Sequence, residues 1–170
     1  MKVIPAEVES PLNVRQPIVH IHLTYSTRNA ALKPKDIATI KNELAKLEPG
    51  FDLVAVRTLG PSGEADLVVS PANIGVLSNE IVEFVDSVRG EFGVVNCSLS
   101  SAGPAPLVFF LGSQLTHGRF PNLVTFEMKN GVREYEVAFC GCERCIIWHQ
   151  KLWYNTARWG VDDSMDLFPV

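Results

Sequence analysis

The sequence predicts an α/β domain, a Rossmann-like three-layer sandwich with a mostly parallel sheet and a C-terminal antiparallel hairpin. Runs of β-branched residues alternate with segments of helical period, which favours parallel strands joined by helical crossovers. An Asn-Gly pair at 130–131 between two alternating runs predicts the hairpin. The length of 170 residues, with 46% hydrophobic and 20% charged residues, fits one domain with a substantial core.

The first elements are a strand and a helix. Residues 1–17 contain prolines at 5, 11 and 17 without an apolar period, which indicates an extended arm or a truncated edge element. The run Ile18–Thr24 is rich in β-branched residues and predicts a buried strand. Pro34 is placed to open a helix whose apolar positions follow at helical spacing before Pro49-Gly50: Ile37, Ile40, Leu44 and Leu47.

A second strand and a second helix follow. Residues 51–57 alternate as a strand, and a turn at 60–63 separates them from a short apolar run at 67–69 whose structure the sequence leaves open. The next apolar positions recur at helical spacing and end near Gly90 and Gly93: Ile74, Leu77, Ile81, Phe84, Val85 and Val88. These residues predict an amphipathic helix.

The last part of the domain begins with a third strand at 94–99. Residues 105–118 predict a third helix that is apolar on more than one face and is therefore buried, with Gly118 at its C-cap. Residues 123–128 and 133–139 form the predicted hairpin.

We divide the chain into an extended N-terminal arm (1–17), the α/β domain (18–139) and a C-terminal segment (140–170) with a Cys- and Trp-rich helix and an acidic tail.

Composition and charge exclude several classes of function. A net charge of −4 leaves no diffuse basic field, so a long nucleic acid is not the expected partner, although a small anion needs only a few local donors. The apolar runs are shorter than the roughly 20 residues of a membrane span, and the N-terminus has no signal-peptide core. We predict a cytoplasmic protein without a membrane partner. Three of the four cysteines lie within six residues, which suits reduced thiols or a bound ion more than a disulfide framework.

The candidate ligand site lies where the first and third strands end. Ligands of open α/β sheets bind beyond the carboxyl ends of the strands. The third strand ends in a serine-rich turn with Gly103, and Pro104 then starts a helix whose dipole favours an anion; the serines are Ser98, Ser100 and Ser101. An ordinary loop with hydroxyl caps would have the same composition.

The loop after the first strand belongs to the same edge of the sheet. It contains Thr24, Tyr25, Ser26 and Arg28. Tyr25 is suited to stack on a base, and Arg28 is suited to pair with a phosphate. A solvated loop without a ligand is the alternative.

A second candidate site lies in the C-terminal segment. Cys140, Cys142, Cys145 and His149 provide four soft ligands of the kind that hold tetrahedral zinc, and reduced thiols without metal are the alternative. No other cofactor is indicated. His20 and His22 share one face of the first strand, where a hydrogen-bonded core or groove histidine is a more common outcome than a base.

The segment VVNCSLSSAGPAPLVFFLGSQLTHGRFPNLVTFEMKNGVREYEVAF at 94–139 resembles the second half of the SAVED domain family. The shared pattern is a strand, a small-residue turn with proline, a helix with an apolar-Leu-Gly element, and a strand ending near a Tyr-Glu pair before the hairpin returns. The preceding IHLTYS strand and its helix resemble the opening of the same half, so the resemblance covers about residues 17–139.

The resemblance implies a sensor of cyclic oligonucleotide second messengers in bacterial antiphage signalling, of the CBASS or the type III CRISPR kind. SAVED domains consist of two fused halves related to CARF domains, and they switch on an attached effector. This chain has one half and no effector motif, so the resemblance implies a homo-oligomer or a partner effector subunit. The alternatives are a ring nuclease that cleaves the messenger and a subunit with only a structural role in assembly. No catalytic residue is assigned.

Overall fold

A computed structural model describes residues 1–9, 14–27, 32–47, 50–63, 65–101, 107, 111, 113–115, 119–120, 122–128 and 135–140. Its strands are β1 (Lys2–Glu9), β2 (Pro17–Leu23), β3 (Asp52–Gly60), β4 (Asn96–Ser101), β5 (Leu123–Met128) and β6 (Tyr135–Cys140). The two long helices of the described residues are α1 (Pro34–Lys46) and α2 (Ile74–Phe92). No helix in this part of the chain is both long and apolar enough to cross a bilayer.

The six strands form one mixed sheet in the order β1-β3-β2-β4-β5-β6. The four central strands, β3, β2, β4 and β5, are parallel to one another. The two edge strands, β1 and β6, pair antiparallel with β3 and β5. The chain thus has the parallel core and antiparallel C-terminal pairing that the sequence predicts.

Two hydrophobic clusters cover the sheet. Alternate residues of β2 divide between them: Val19 and Ile21 belong to the cluster with α2, whereas Ile18 belongs to the cluster with α1. Because successive side chains of a strand point to opposite faces, the two helices pack against opposite faces of the sheet. The chain runs from β2 through α1 to β3 and then through α2 to β4, on the other side of β2. Because right-handed crossovers in opposite directions place their helices on opposite faces, α1 and α2 lie on different sides of the sheet.

The first two predicted helices and the first three predicted strands are present, with shifted ends. The third strand is displaced towards the C-terminus and runs through Ser101, so Ser98 and Ser100 lie within β4 and not in a turn. The short run at 67–69 is neither strand nor helix. The N-terminal segment contains β1 at the edge of the sheet.

The third predicted helix lies mostly outside the described residues. Leu107 and Leu111 are helical and buried in the α2 cluster, together with Phe120. The amide of Leu115 donates to the carbonyl of Leu111 at 3.0 Å, which is the spacing of an α-helical turn. The residues that connect β5 to β6, at 129–134, also lie outside the described part.

Candidate functional site

The carboxyl ends of β2 and β4 meet at the topological switch point of the sheet. These strands are parallel neighbours, and Leu23 at the end of β2 is in register with Ser101 at the end of β4. From β2 the chain leaves through α1 to β3, whereas from β4 it continues to β5 on the other side. Connections that diverge in this way leave a crevice beyond the strand ends, where open α/β sheets bind ligands. The structure therefore brings the two predicted site segments to the same place.

The loop that follows β2 is held by hydrogen bonds to other segments. The amide of Thr24 donates to the carbonyl of Leu59 at 3.0 Å, and the carbonyl of Tyr25 accepts from the amide of Leu67 at 2.8 Å. The Thr24 hydroxyl donates to the carbonyl of Ser26 at 3.2 Å and accepts from its amide at 3.4 Å. Residues 24–26 therefore have a fixed backbone.

Asp66 forms hydrogen bonds with the next residue of this loop, Thr27. One oxygen of its carboxylate accepts from the Thr27 amide at 2.7 Å and from the Thr27 hydroxyl at 3.2 Å. This carboxylate places a negative charge beside Thr27, which disfavours a phosphate there.

The predicted serines divide between the two faces of the sheet. Ser98 and Ser100 lie on the face of β4 that is opposite to its apolar neighbours Cys97 and Leu99, which pack in the α2 cluster. By the same alternation, Ser101 lies on the α2 side, where Tyr25 is buried. Ser101 is half-buried, whereas Ser98 is fully buried.

Ser98 and Ser100 form a buried polar network with the two histidines of β2. His20 Nδ1 lies 2.9 Å from the Ser98 hydroxyl, and His20 Nε2 lies 2.9 Å from the Ser100 hydroxyl. The Ser100 hydroxyl also lies 2.8 Å from Nδ1 of His22. Burial, with a smaller effect of His22, lowers the pKa of His20 to about 3, so His20 is neutral at physiological pH. Both histidines are thus hydrogen-bonded within the core.

Tyr25 is more buried than a base-stacking residue of an open loop. Its side chain is 7% exposed and contributes to the α2 cluster. Burial raises the pKa of its phenol, and the neighbouring Ser101 side chain offsets part of the rise. Tyr25 and Ser101 therefore lie close to each other at the carboxyl ends of β2 and β4, and the buried Tyr25 hydroxyl makes no hydrogen bond within the described part of the chain.

Several predicted site residues lie outside the described part of the chain: Arg28, Gly103, Cys142, Cys145 and His149. Of Cys140, the structure describes the backbone, which ends β6 and pairs with Val124. Among the described residues, no group of three metal-ligating side chains is present. The zinc site and the phosphate contact of Arg28 stay predictions.

Two features of the site were not predicted from the sequence: the hydrogen bonds of Asp66 and the pairing of serines with histidines. Asp66 reaches the loop across 39 residues, and no local pattern marks such a contact. The alternation of His20 and His22 with Ser98 and Ser100 was visible in the sequence. A parallel pairing of these two strands would have placed polar residues side by side, but their register cannot be read from composition.

Comparisons with known proteins agree with this architecture. The family model of the SAVED domain, described as "SMODS-associated and fused to various effectors sensor domain", matches residues 31–140. The chain belongs to the SAVED family of sensor domains. A comparison with curated proteins finds no match.

Among solved structures, the fold is similar to that of the Acinetobacter baumannii Cap4 SAVED/CARF-domain containing receptor, determined with the cyclic trinucleotide 3'3'3'-cAAA. The two chains share 15% sequence identity with a TM-score of 0.55, and the match covers 84% of this chain. It covers 28% of the receptor chain, so the present chain spans less than a third of its length. At this identity the similarity shows the fold.

Proposed function

We propose that this protein is a sensor that binds a cyclic oligonucleotide across the carboxyl ends of β2 and β4. The observation that carries the proposal is the meeting of the two predicted site segments at the switch point of a SAVED-family sheet. The relative with a similar fold was determined with a cyclic trinucleotide, which supports this class of ligand.

The proposed contacts follow from the chemistry of the site. The Ser101 hydroxyl and the backbone donors that follow β4 bind phosphate oxygens, and Arg28 adds a charge-assisted contact. Tyr25 forms the apolar floor beneath the ligand, because its ring is buried at the strand ends. The net charge of −4 is compatible with a ligand of few phosphates, which needs only local donors.

We extend the proposal to the signalling context. The protein would act in bacterial antiphage defence, of the CBASS or the type III CRISPR kind, and would signal by homo-oligomerisation or through an effector subunit in the cytoplasm. The Rossmann-like three-layer arrangement is part of this proposal, since it would place the crevice between helices of both layers. Each protomer would supply one half-site, and two protomers together would form the complete ligand pocket.

Thermal unfolding with a panel of cyclic di- and trinucleotides tests the proposal. A ligand that binds only the native state raises the Tm, by an amount that corresponds to about 2.7 kcal/mol at a concentration of 100 times Kd. Recovery of the intact nucleotide by chromatography is expected, whereas a linear product would establish the ring nuclease alternative. An unchanged Tm with every member of the panel would refute the sensor function.

Two variants locate the binding site. Ser101→Ala should weaken binding about tenfold, because one hydrogen bond to a charged group is lost. Ser87 is exposed on α2, and Ser87→Ala is the matched control that should bind like the wild type. Equal affinity of the two variants would place the ligand elsewhere on the molecule.

A further inference from the structure

Two buried hydroxyl groups on the α2 side of the sheet have no hydrogen-bond partner among the described residues. They are the phenol of Tyr25, a residue that is 7% exposed, and the hydroxyl of Ser78, which is fully buried. A buried serine inside a helix commonly donates to the carbonyl four residues earlier, and Ser78 does not make this bond. Because buried polar groups are normally paired, two such hydroxyls on one face require an explanation.

The fold places both hydroxyls at the carboxyl ends of the parallel strands. Tyr25 follows the end of β2 by two residues, and its phenol lies beside the Ser101 side chain at the end of β4. Helix α2 leads from the carboxyl end of β3 across β2 to the amino end of β4, so its first turns lie over the carboxyl ends. Ser78 is about 6 Å along the helix from the start of α2, and it belongs to the buried face with Ile81 and Val82. The two hydroxyls therefore share one face and one end of the sheet.

The chemistry of this part of the site favours an uncharged group over a phosphate. Burial raises the pKa of the Tyr25 phenol, so both hydroxyls are neutral donors at physiological pH. Among the described residues, the buried cation on this face is Arg57, and it pairs with Glu91 about 20 Å along the helix from Ser78. A desolvated phosphate at the two hydroxyls would thus lack a compensating cation from the described side chains.

We propose that the hydroxyls of Tyr25 and Ser78 form an inner subsite that binds the polar edge of one nucleobase of the ligand, an inference that rests on the proposed function. The Tyr25 ring and the apolar side chains of the α2 cluster match the flat faces of a base, and the hydroxyls match the donors and acceptors of its edge. The half-buried Ser101 beside Tyr25 marks the more exposed side, where the phosphates of the ligand stay near solvent. Both hydroxyl oxygens are covered in the free protein, so the base enters by a local opening at the strand ends.

The subsite predicts that stability and binding respond differently to the same substitutions. Tyr25→Phe and Ser78→Ala each remove one oxygen atom and no hydrogen bond of the free protein, so neither variant should be less stable than the wild type. Each variant leaves a group of the base edge buried without a partner, so affinity for 3'3'3'-cAAA should fall about tenfold. Ser87→Ala, on the exposed side of α2, controls for the higher helix propensity of alanine and should bind like the wild type.

Chemical denaturation and titration calorimetry of the three variants measure both properties. Retained stability together with weakened binding supports the subsite. A loss of stability in both Tyr25→Phe and Ser78→Ala would show that the hydroxyls have partners within the protein, and it would overturn the inference. Unchanged affinity of both variants would also overturn it and would leave the sensor function intact.

Cyclic trinucleotides with different bases test whether the hydroxyls contact a base. The ligand with uracil in place of adenine has the same ring and the same phosphates as 3'3'3'-cAAA, but its base edge has other donors and acceptors. Tyr25→Phe should therefore weaken the binding of the two ligands unequally. An equal loss would place a ribose or a phosphate at the hydroxyls and overturn the assignment to a base. Failure of the wild type to bind any cyclic nucleotide of the panel would overturn the sensor function together with this inference.

Discussion

At the scale of single residues, the buried histidine of β2 makes stability depend on pH. The pKa of His20 is lowered from 6.5 to about 3 by burial, so the unfolded chain binds a proton below pH 6.5 that the native protein excludes. The contribution of neutral His20 to the free energy of unfolding is therefore fully present above pH 6.5 and is lost as the pH falls towards 3. At pH 5 the loss should be about 2 kcal/mol of the free energy of unfolding.

Urea denaturation at pH 7 and pH 5 measures this loss. Other groups also titrate in this range, so His20→Gln is the control: its amide keeps polar atoms near Ser98 and Ser100 and does not titrate. The variant should be less stable at pH 7 but should lose about 2 kcal/mol less than the wild type between the two pH values. An equal pH dependence of both proteins would contradict a buried neutral His20.

The same histidine shows what single residues reveal before a structure is known. Two histidines at alternate positions of an apolar strand predicted a hydrogen-bonded core or groove pair, and the structure confirms this. Their partners depended on the register of β2 with β4, where His20 is opposite Ser98 and His22 is opposite Ser100. Register is set by the packing of both faces together and not by either strand alone.

At the scale of elements, the substitution of glycine by alanine should have opposite effects on stability at two positions near the end of α2. Gly93 is the C-cap, with φ of 60° and ψ of 30°, and its amide donates to the carbonyls of Arg89 and Gly90. A side chain in this left-handed conformation costs about 1–2 kcal/mol. Gly90 lies inside the helix, where alanine is favoured over glycine by up to about 1 kcal/mol.

Gly93→Ala should therefore destabilise the protein, and Gly90→Ala should stabilise it. Neither added Cβ meets another atom within 4 Å, so packing does not obscure the comparison. The midpoints of chemical denaturation of the two variants, measured against the wild type, check the prediction. A shift of the same sign in both would show that backbone conformation does not decide the outcome.

The link between the β2 loop and the segment before α2 gives a second prediction for elements. The Asp66 carboxylate accepts two hydrogen bonds from Thr27, and the shorter one, at 2.7 Å, comes from the Thr27 amide. Asp66→Ala should speed hydrogen exchange of this amide about tenfold or more, because its protecting acceptor is lost. Exchange at Thr24 should stay slow, since its amide donates to the carbonyl of Leu59 in β3. Equal acceleration at both positions would indicate general destabilisation.

Elements were predicted more completely than their arrangement. The apolar stripes of α1 and α2 follow the helical period, and this signal is local. The position of β3 between β1 and β2 depends on contacts between distant segments, and β1 contains Pro5, which weakens its strand pattern. The end of β4 was misplaced because serine and glycine are typical of turns, whereas two of its serines are used inside the sheet by histidines.

At the scale of the whole molecule, charge determines which nucleic acids the protein can bind. A net charge of −4 opposes a long polyanion, whose binding depends on many phosphate contacts and released counterions. A cyclic trinucleotide has three phosphates, so its binding should weaken with salt with a log-log slope no steeper than about −2. Titrations at several salt concentrations check this slope.

Duplex DNA is the matched comparison, because it presents the same phosphate chemistry along an extended surface. Fluorescence anisotropy with a labelled duplex should show no saturable binding at physiological salt, whereas the cyclic trinucleotide should compete with its own labelled form. Saturable binding of the duplex with a steep slope, near −5 or beyond, would mean that the protein has a wide basic surface for nucleic acid. The crevice between β2 and β4 would then be too small to account for recognition, since its proposed donors are confined to the ends of two strands.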